Sequence, residues 1–233
     1  MMQCVILAGG LGTRLRPVTL AIPKPMAPVL GRPFLLIQLE ELKRQGIVKA
    51  LLLVGHLGER IMEYFGDGRG IGMELDYSQE RELLGTGGAL KLAEAKIGGD
   101  FMLIYGDSFL PLEYAEFEAA FRRAGCEGMM AVYRDPSGAT RVRGNVALSP
   151  DGLVARYDKA SASPDLEWVE AGVLAFRRSV LERIPAGRVV SLEREVYPAL
   201  IRERALAGYR SAHRFFDIGT RERIADMEAW LRK

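Results

Sequence analysis

Three short apolar runs, each followed by glycine, set the predicted architecture of this chain. The runs span residues 4–8, 50–54 and 101–105, and the glycines that follow them are Gly9, Gly55 and Gly106. Such runs are too short for typical helices and lack polar alternation, a pattern typical of strands buried on both faces of a parallel sheet. Amphipathic helical patterns cover residues 35–46, 57–65 and 112–124. This order predicts an α/β fold with a Rossmann-like, mostly parallel sheet and helices on both faces.

The second half of the chain has a different pattern. Strand-like runs over residues 145–148, 154–157 and 168–176 are closely spaced and separated by turn signals, which predicts a small antiparallel or mixed sheet appended to the main one. Further helices are predicted over residues 191–203 and 220–231. Because no linker or repeat interrupts the pattern, we expect one domain over residues 1–233.

Composition and charge exclude several classes of protein. Lys and Arg total 32 and Asp and Glu total 30, and the resulting charge of +2 argues against nucleic-acid binding through a basic face. The two cysteines, Cys4 and Cys126, have no metal-type spacing. The first apolar run is too short for a secretory signal, and no stretch approaches the roughly 20 apolar residues of a membrane span. We expect a cytoplasmic protein without nucleic-acid or membrane partners, and a homo-oligomer is compatible with the sequence.

The loop after the first apolar run reads Ala-Gly-Gly-Leu-Gly-Thr-Arg-Leu-Arg-Pro over residues 8–17. Three glycines in four residues let the backbone approach a phosphate and direct several N–H groups at it. A Rossmann fingerprint would need a third glycine at Leu15 and a long helix after it, and a P-loop would need Gly-Lys-Ser/Thr. Neither is present, which disfavours a nicotinamide oxidoreductase and points to another phosphate-binding arrangement.

A proline-rich segment follows the glycine-rich loop and reads Ile-Pro-Lys-Pro-Met-Ala-Pro over residues 22–28. Alternating prolines restrict the backbone, so we expect this segment to be extended. It would present Lys24 on a stiff tether.

Together these two segments resemble the signature of the sugar-1-phosphate nucleotidyltransferases, which join a sugar 1-phosphate to a nucleoside triphosphate and release pyrophosphate. The resemblance rests on Gly-Gly-x-Gly-Thr-Arg-Leu-x-Pro-x-Thr followed by Pro-Lys-Pro-Met-x-Pro. It implies that the glycine loop and Arg14 hold the triphosphate, and that Lys24 contacts phosphate near the reaction centre. It also implies a nucleotide-binding half over residues 1–125 and a sugar-binding half with the C-terminal helices over residues 126–233. A non-catalytic regulatory relative that binds nucleotide sugars is the alternative from another class, but it would be expected to lack Arg14, Lys24 or an aspartate.

A second glycine-rich segment, Leu-Gly-Thr-Gly-Gly-Ala-Leu, covers residues 84–90 and predicts a turn leading into a helix over residues 89–96. The resemblance places the nucleobase loop here, with backbone near Gly87 and Gly88 and a side chain from Gln79 or Glu80 reading the base. Its form is similar to guanylyltransferases of heptose or mannose 1-phosphate. We therefore expect GTP as the nucleotide, with the Glu80 side chain and the carbonyls of residues 84–88 as hydrogen-bond acceptors, and a hexose or heptose 1-phosphate of manno configuration as the sugar substrate. Uridylyl or thymidylyl transfer is the alternative.

Two separated aspartates follow strand-like runs. Asp107 ends Ile-Tyr-Gly-Asp and Asp217 lies in Phe-Phe-Asp-Ile-Gly-Thr. Each aspartate could simply cap a helix. The resemblance implies instead that both bind Mg²⁺, a hard ion that suits two carboxylates, phosphate oxygens and waters.

Three motifs between the aspartates resemble the sugar-binding segments of the family, each with one departure. Arg143 replaces the usual Tyr before Gly144 and Asn145, Asp158 replaces Glu before Lys159, and Glu170 replaces Asn before Gly172. In the family the lysine holds the sugar phosphate. The departures leave nucleotidyl transfer intact and the identity of the sugar open.

The resemblance thus implies four sets of residues. The catalytic set is Arg14, Lys24 and Asp107; the nucleotide-binding set is Leu7, Ala8, Gly9, Gly10, Gly12, Thr13, Arg14, Gln79, Glu80, Gly85, Thr86, Gly87 and Gly88; the sugar-phosphate set is Gly144, Asn145, Asp158, Lys159, Glu170 and Gly172; the metal ligands are Asp107 and Asp217. Four arginines on predicted helices are expected to be solvated: Arg202, Arg204, Arg221 and Arg223.

Overall fold

The apolar runs form strands of one mixed, nine-stranded sheet in a computed structural model that describes residues 1–233. The chain has thirteen strands: β1 (Gln3–Ala8), β2 (Pro28–Val29), β3 (Arg32–Pro33), β4 (Lys49–Val54), β5 (Glu74–Gln79), β6 (Phe101–Tyr105), β7 (Ser108–Phe109), β8 (Gly128–Arg134), β9 (Val146–Leu148), β10 (Val154–Tyr157), β11 (Trp168–Phe176), β12 (Leu206–Ser211) and β13 (Phe216–Asp217). Nine of them form the main sheet, while β2 pairs with β3 and β7 pairs with β13 in two small separate sheets. The α-helices are α1 (Phe34–Arg44), α2 (Gly58–Phe65), α3 (Gly85–Leu92), α4 (Tyr114–Ala124), α5 (Tyr197–Arg202) and α6 (Arg221–Leu231). No helix is both long and apolar enough to span a bilayer.

The predicted α/β class is confirmed by the centre of the sheet. Strands β6, β1, β4 and β5 are parallel neighbours in that order. In the middle strand, Ile6 lies between Leu52 on one side and Ile104 on the other. Because all four strands run the same way, their carboxyl ends meet at one edge, where open α/β sheets bind ligands.

Strand β11 joins the two halves of the chain. Its last residues pair antiparallel with β6 and β8, and its first residue, Trp168, pairs with both β8 and β9. Strand β9 in turn pairs with β10. The antiparallel strands predicted for the second half are therefore an extension of the main sheet, to which β8 and β12 add a further parallel pair that was not predicted.

Helices pack on both faces of the sheet, as predicted. Alternate residues of β1 face opposite sides, with Cys4 and Ile6 packed among residues of α1, α2 and α4. Val5 faces the other side, among residues of α3 and α5. Burial also raises the pKa of the Cys4 thiol to about 12, so this residue is an inert small hydrophobe.

The proline-rich segment is not extended, and that expectation is wrong. Lys24–Met26 form a 3₁₀ turn, as do Thr13–Leu15 and Val18–Leu20. Prolines fix single φ angles but tolerate the first positions of a helical turn, and here Pro25 occupies such a position. Ala27 of this segment packs in an apolar cluster, separate from the two faces of the sheet, that also contains Phe216 of β13 and Met227 of α6.

The later helices largely match their predictions, and the one after β5 begins earlier. Helix α3 starts at Gly85, so the four residues predicted as a turn form its first turn. Ser191 caps a five-residue π-helical turn that continues into α5. Thr220 caps α6, since its side chain accepts from the N–H of Arg223.

Candidate active site

A cleft of about 530 Å³ opens at the carboxyl ends of the parallel strands. The glycine-rich loop after β1 and Asp107, which follows β6, line it from the first half of the chain. Lys159 and Glu193 line it from the second half. The fold therefore brings residues that are far apart in sequence to the edge where such sheets bind ligands.

Most of the predicted nucleotide-binding residues line this cleft. They are Leu7, Ala8, Gly9, Gly10, Gly12, Thr13, Arg14, Glu80, Gly85 and Thr86. Gln79 does not, because it is exposed and its side chain donates to Glu59. Gly87 and Gly88 are buried and donate their N–H groups to the Val190 carbonyl at 2.9 and 3.2 Å. The second glycine-rich segment thus meets the cleft through Gly85, Thr86 and Ala89.

Gly12 determines how the glycine-rich loop packs. Its φ is +61°, a backbone conformation that favours glycine. A Cβ at this position would lie 2.8 Å from Thr19 Cγ2 and 2.9 Å from Lys24 Cβ. The Thr19 hydroxyl also donates to the Gly12 carbonyl at 2.8 Å. The loop therefore packs directly on the Lys24 segment, and the two predicted phosphate-binding motifs form one wall of the cleft.

Lys24 and Asp107 form an ion pair within the cleft, in which Lys24 Nζ donates to Asp107 Oδ2. The Lys24 side chain is 11% exposed, whereas that of Asp107 is 34% exposed. Burial opposes ionisation of Asp107, but the charge and hydrogen bond of Lys24 outweigh it and lower the pKa of that carboxyl. Asp107 is thus a carboxylate at neutral pH. Arg14 is exposed and lines the same cleft.

Asp217 reaches the same edge of the sheet from the C-terminal half. Strand β13 pairs antiparallel with β7 and places Asp217 opposite Ser108, the neighbour of Asp107. The Asp217 carboxylate accepts two hydrogen bonds from Arg223, at 3.0 and 3.1 Å, and one from the Gly219 N–H at 2.7 Å. The prediction that Arg223 is solvated is wrong, because its side chain is only 17% exposed and holds Asp217.

The donor chemistry of Asp107 fits a divalent cation. Its Oδ1 accepts only one long hydrogen bond, 3.2 Å from Ser108 Oγ, and carboxylate oxygens are ligands that Mg²⁺ prefers. Asp217, the other predicted ligand, is engaged by Arg223 and Gly219 and does not line the cleft. No cluster of three or more His, Cys, Asp or Glu side chains suited to a metal is present, so phosphate oxygens would have to complete the coordination.

Glu80 lies between the two glycine-rich segments and is 9% exposed. Its Oε2 accepts from the Leu84 N–H at 2.9 Å, which leaves Oε1 as the acceptor not engaged by that bond. Burial raises the pKa of this carboxyl, and the Leu84 hydrogen bond only partly opposes that rise.

The carbonyls expected to act beside Glu80 are not available: Leu84 O accepts from the Val190 N–H at 2.8 Å, and the next residues begin a helix. The N-terminal end of a helix presents unpaired backbone N–H groups, so Gly85 and Thr86 offer hydrogen-bond donors to the cleft.

A network of carboxylates and tyrosines surrounds Lys159. Its Nζ lies 3.1 Å from Glu170 Oε2 and 3.8 Å from Glu193 Oε1. Burial opposes the charge of Lys159, but the two carboxylates outweigh it and raise the pKa, so the ammonium group stays charged. The hydroxyl groups that complete the network belong to Tyr105, Tyr157 and Tyr197.

Glu193 and Tyr105 line the cleft but were not among the predicted site residues. Glu193 lies in the π-helical turn before α5, and its Oε2 accepts from Thr86 Oγ1 at 2.8 Å and Ser191 Oγ at 2.9 Å. An acidic residue in the first turn of a helix ordinarily reflects the helix dipole. The local pattern therefore contains no signal that distinguishes Glu193 as a site residue.

Among the predicted sugar-phosphate residues, Lys159 alone lines the cleft. The Glu170 side chain lies directly behind it and is 2% exposed. Asn145 is buried and its Oδ1 accepts from the Glu170 N–H at 2.9 Å, which fixes this part of β11. Asp158 accepts two backbone N–H groups, from residues 160 and 161, and thereby shapes the turn that carries Lys159.

The two predicted glycines of the sugar-phosphate set provide space rather than cleft surface. A Cβ at Gly144 would lie 1.8 Å from the Leu166 carbonyl oxygen. At Gly172, where φ is +78°, a Cβ would lie 2.5 Å from Ser108 Cβ. Gly172 therefore allows β11 to pass closely beside the residue next to Asp107.

A family profile and several known proteins match this chain. The sequence profile of the family described as nucleotidyl transferase matches residues 3–233. A mannose-1-phosphate guanylyltransferase of Mycobacterium tuberculosis is 34% identical over 223 residues, which cover 94% of this chain and 62% of that protein. A D-glycero-alpha-D-manno-heptose 1-phosphate guanylyltransferase of Campylobacter jejuni is 43% identical over 117 residues, half of this chain and 52% of that protein. The chain therefore spans less than two thirds of the length of these curated relatives.

A solved structure, HddC from Yersinia pseudotuberculosis, is similar over nearly the full chain. It superposes with a TM-score of 0.85 at 27% sequence identity, covering 99% of this chain and 100% of that one. A second structure of the same protein, complexed with GMP-PN, gives a TM-score of 0.84.

Proposed function

This chain belongs to the nucleotidyl transferase family, and we propose that it transfers the guanylyl group of GTP to a sugar 1-phosphate, giving a GDP-sugar and pyrophosphate. The observation that carries the proposal is that the glycine-rich loop, the Lys24–Asp107 pair and Lys159 line one cleft. The first two suit a triphosphate and the third suits a second phosphate. We expect released pyrophosphate when the protein is given Mg²⁺, GTP and a sugar 1-phosphate, and none when either substrate is omitted.

In the proposed reaction an oxygen of the sugar phosphate attacks the α-phosphorus of GTP. A new P–O bond forms there as the bond between the α-phosphorus and the bridging oxygen breaks, and pyrophosphate leaves with the electron pair. The attacking phosphate is already anionic at neutral pH, so no strong general base is required. Catalysis then depends on positioning and on neutralising charge.

The charged residues of the cleft and its glycine-rich loop have distinct roles in this scheme. The glycine-rich loop directs backbone N–H groups at the triphosphate, and Arg14 and Lys24 balance its charge. Lys159, which stays charged, holds the sugar phosphate for in-line attack. A divalent cation such as Mg²⁺, bound by Asp107 and, after release from Arg223, by Asp217, would supply further positive charge.

Guanine suits the base end of the cleft because its donors and acceptors complement those of the protein. Its O6 accepts, which matches the first-turn N–H groups of Gly85 and Thr86, while its N1–H and N2 amine donate, which matches the Glu80 carboxylate. Uracil and thymine carry a carbonyl oxygen where guanine has the N2 amine, so that oxygen would face the carboxylate. A site that pairs with such groups rejects a base that leaves them unpaired.

We expect GTP to have the highest kcat/KM of the nucleotides, with UTP and deoxythymidine triphosphate lower by about a thousandfold. Inosine triphosphate lacks only the N2 amine and should lose about tenfold. Pyrophosphate release measured with each nucleotide over a panel of sugar 1-phosphates tests this order. A higher kcat/KM for UTP or deoxythymidine triphosphate with every sugar would contradict guanylyl transfer and leave nucleotidyl transfer standing.

The Glu80→Gln variant separates the carboxylate from the rest of the base site. It should discriminate less between GTP and inosine triphosphate than the wild type. Because the pKa of Glu80 is raised, the wild-type preference for GTP should also weaken as the pH falls towards that pKa, and the variant should not show this change. An unchanged preference in the variant would remove Glu80 from the base site.

The sugar end of the cleft is rich in hydrogen-bond acceptors. Glu193 faces the cleft and Glu170 lies behind Lys159, so two carboxylates accompany one ammonium group. The ammonium suits the phosphate and the carboxylates suit donating hydroxyls. Relatives act on mannose or heptose 1-phosphate, which supports a hexose or heptose of manno configuration as the acceptor.

Glu193→Gln should raise the KM for the sugar 1-phosphate by about tenfold to a hundredfold, because a hydrogen bond to a charged acceptor is lost. The KM for GTP should change less, because Glu193 reaches the base end of the cleft only through the side chain of Thr86. Steady-state kinetics with each substrate varied in turn gives both constants. Glu195→Gln is the control, since Glu195 lies on the same turn but is exposed and does not line the cleft. Equal sugar KM values for the two variants would contradict the role of Glu193.

A further inference from the structure

Helix α1 contains one polar residue among its buried positions, Gln38, which is 2% exposed. The other buried residues of the helix are apolar: Phe34, Leu35, Ile37, Leu39 and Leu42. Gln38 Oε1 is buried and has no hydrogen-bond partner. Leaving a buried acceptor unpaired costs about 1–3 kcal/mol, and methionine would fill a similar volume without that cost. The amide must therefore supply something that an apolar side chain cannot.

The Gln38 amide nitrogen donates two hydrogen bonds to one short turn. It lies 2.6 Å from the Ser108 carbonyl oxygen and 3.0 Å from that of Tyr105. Because both partners are acceptors, only the NH₂ end of the amide can face them, which fixes its orientation. The two carbonyls flank Gly106 and Asp107, so the amide closes this turn from behind.

The same turn is held by the backbone on its other sides. The Gly106 N–H donates to the Leu7 carbonyl at 2.8 Å, next to the glycine-rich loop. The Ile218 N–H donates to the Asp107 carbonyl at 3.1 Å, next to Asp217. Of these constraints, the Gln38 amide is the one that a side-chain substitution removes while the backbone bonds remain.

We propose that Gln38 is a positioning residue for Asp107, holding its turn so that the carboxylate faces Lys24 and the phosphates. The inference rests on the proposed function of Asp107 as a ligand of the metal–nucleotide complex. Small errors of placement are costly in such a site, since a displacement of about 1 Å can reduce the rate about a hundredfold. Gln38 itself lies behind the turn and outside the cleft lining.

The chain offers a control residue, Gln45, which directly follows the last residue of the same helix. Gln45 also joins α1 to the segment after β6: its amide donates to the Leu112 carbonyl at 2.7 Å, and its Oε1 accepts from the Tyr114 N–H at 2.9 Å. Those contacts lie beyond the Asp107 turn. Gln38→Met and Gln45→Met therefore each remove a side-chain clamp of α1, and only the first should affect Asp107.

We expect Gln38→Met to reduce kcat about tenfold to a hundredfold, with little change in the KM for GTP. Its affinity for Mn²⁺ in the presence of GTP, measured by electron paramagnetic resonance without sugar phosphate, should fall several-fold. Gln45→Met should match the wild type in both measurements, even where chemical denaturation shows a similar loss of stability. If Gln38→Met does not fold, Gln38→Asn is the second variant. It keeps the amide but shortens the side chain by one methylene, so the amide cannot reach both carbonyls, and the same losses of kcat and Mn²⁺ affinity are expected.

Two outcomes would overturn the inference, and they are distinguishable from failure of the proposed function. Wild-type Mn²⁺ affinity and kcat in Gln38→Met, or equal losses in Gln38→Met and Gln45→Met, would show that Gln38 acts on stability alone. Absence of Mn²⁺ binding and of pyrophosphate release in the wild-type protein would instead reject the proposed function, and the role of Gln38 with it.

Discussion

Replacing Asp107 by asparagine should reduce kcat by about a thousandfold or more while the protein stays folded. The substitution keeps the shape of the side chain but removes the negative charge that pairs with Lys24 and that would bind a divalent cation. A single preorganised charged group of this kind contributes about two to three orders of magnitude to kcat, and loss of the metal would lower kcat further. Single-turnover formation of pyrophosphate, followed with saturating GTP, measures the effect directly.

Asp100→Asn is the matched control for this variant. Asp100 directly precedes β6, whereas Asp107 follows the same strand. Like Asp107, Asp100 is paired with a cation, since its carboxylate lies 2.7 Å from the Arg177 guanidinium. Its side chain is 28% exposed, which is close to the exposure of Asp107. Turnover near that of the wild type is expected for Asp100→Asn. A comparable rate for Asp107→Asn would show that the carboxyl end of the strand has no special role.

The contribution of the Lys24–Asp107 pair to stability should be small and should depend on pH in a defined direction. Because the pKa of Asp107 is lowered in the folded protein, its stabilising contribution is present above the unfolded pKa and is lost as the pH falls through the folded one. The carboxylate is a third exposed, so water screens the pair and limits its contribution to about 1 kcal/mol. The difference in the free energy of unfolding between wild type and Asp107→Asn should therefore shrink in acid.

The parallel centre of the sheet and one wall of the cleft could be predicted because their signals are local. A strand buried on both faces needs an unbroken apolar run, and β1, β4 and β6 each have one. The glycine-rich loop needs its unusual residues adjacent in sequence, and Gly12 shows why, since both its φ and its contacts exclude a side chain. Lys24 follows within the same signature, although the conformation expected for its segment was wrong.

The remaining features depend on contacts that no local pattern specifies. Arg223 has the spacing of a solvated helix residue, and only the placement of α6 beside β13 directs it to Asp217. Glu193 follows an ordinary helix cap, and its position in the cleft depends on a hydrogen bond to Thr86, 107 residues away. Gln38 interrupts an apolar helix face as a single polar residue, a signal that was present in the sequence but that identifies no partner.

Replacing Lys24 by alanine should lower kcat/KM by about 30-fold to a thousandfold, which corresponds to about 2–4 kcal/mol of transition-state stabilisation. The Lys24 side chain is 11% exposed, so its charge acts on the phosphates with little screening by water. Its stem also packs against the loop, since Lys24 Cβ would be 2.9 Å from a Cβ at Gly12.

Lys24→Met keeps that packing and removes only the charge, so an equal loss of kcat/KM in Lys24→Ala and Lys24→Met assigns the effect to the charge. Lys91→Met is the control, because Lys91 is 17% exposed and paired with Glu94 outside the cleft. A loss of less than about fivefold in both Lys24 variants, measured as kcat/KM for GTP, would show that this lysine supports the loop and takes no part in the transfer.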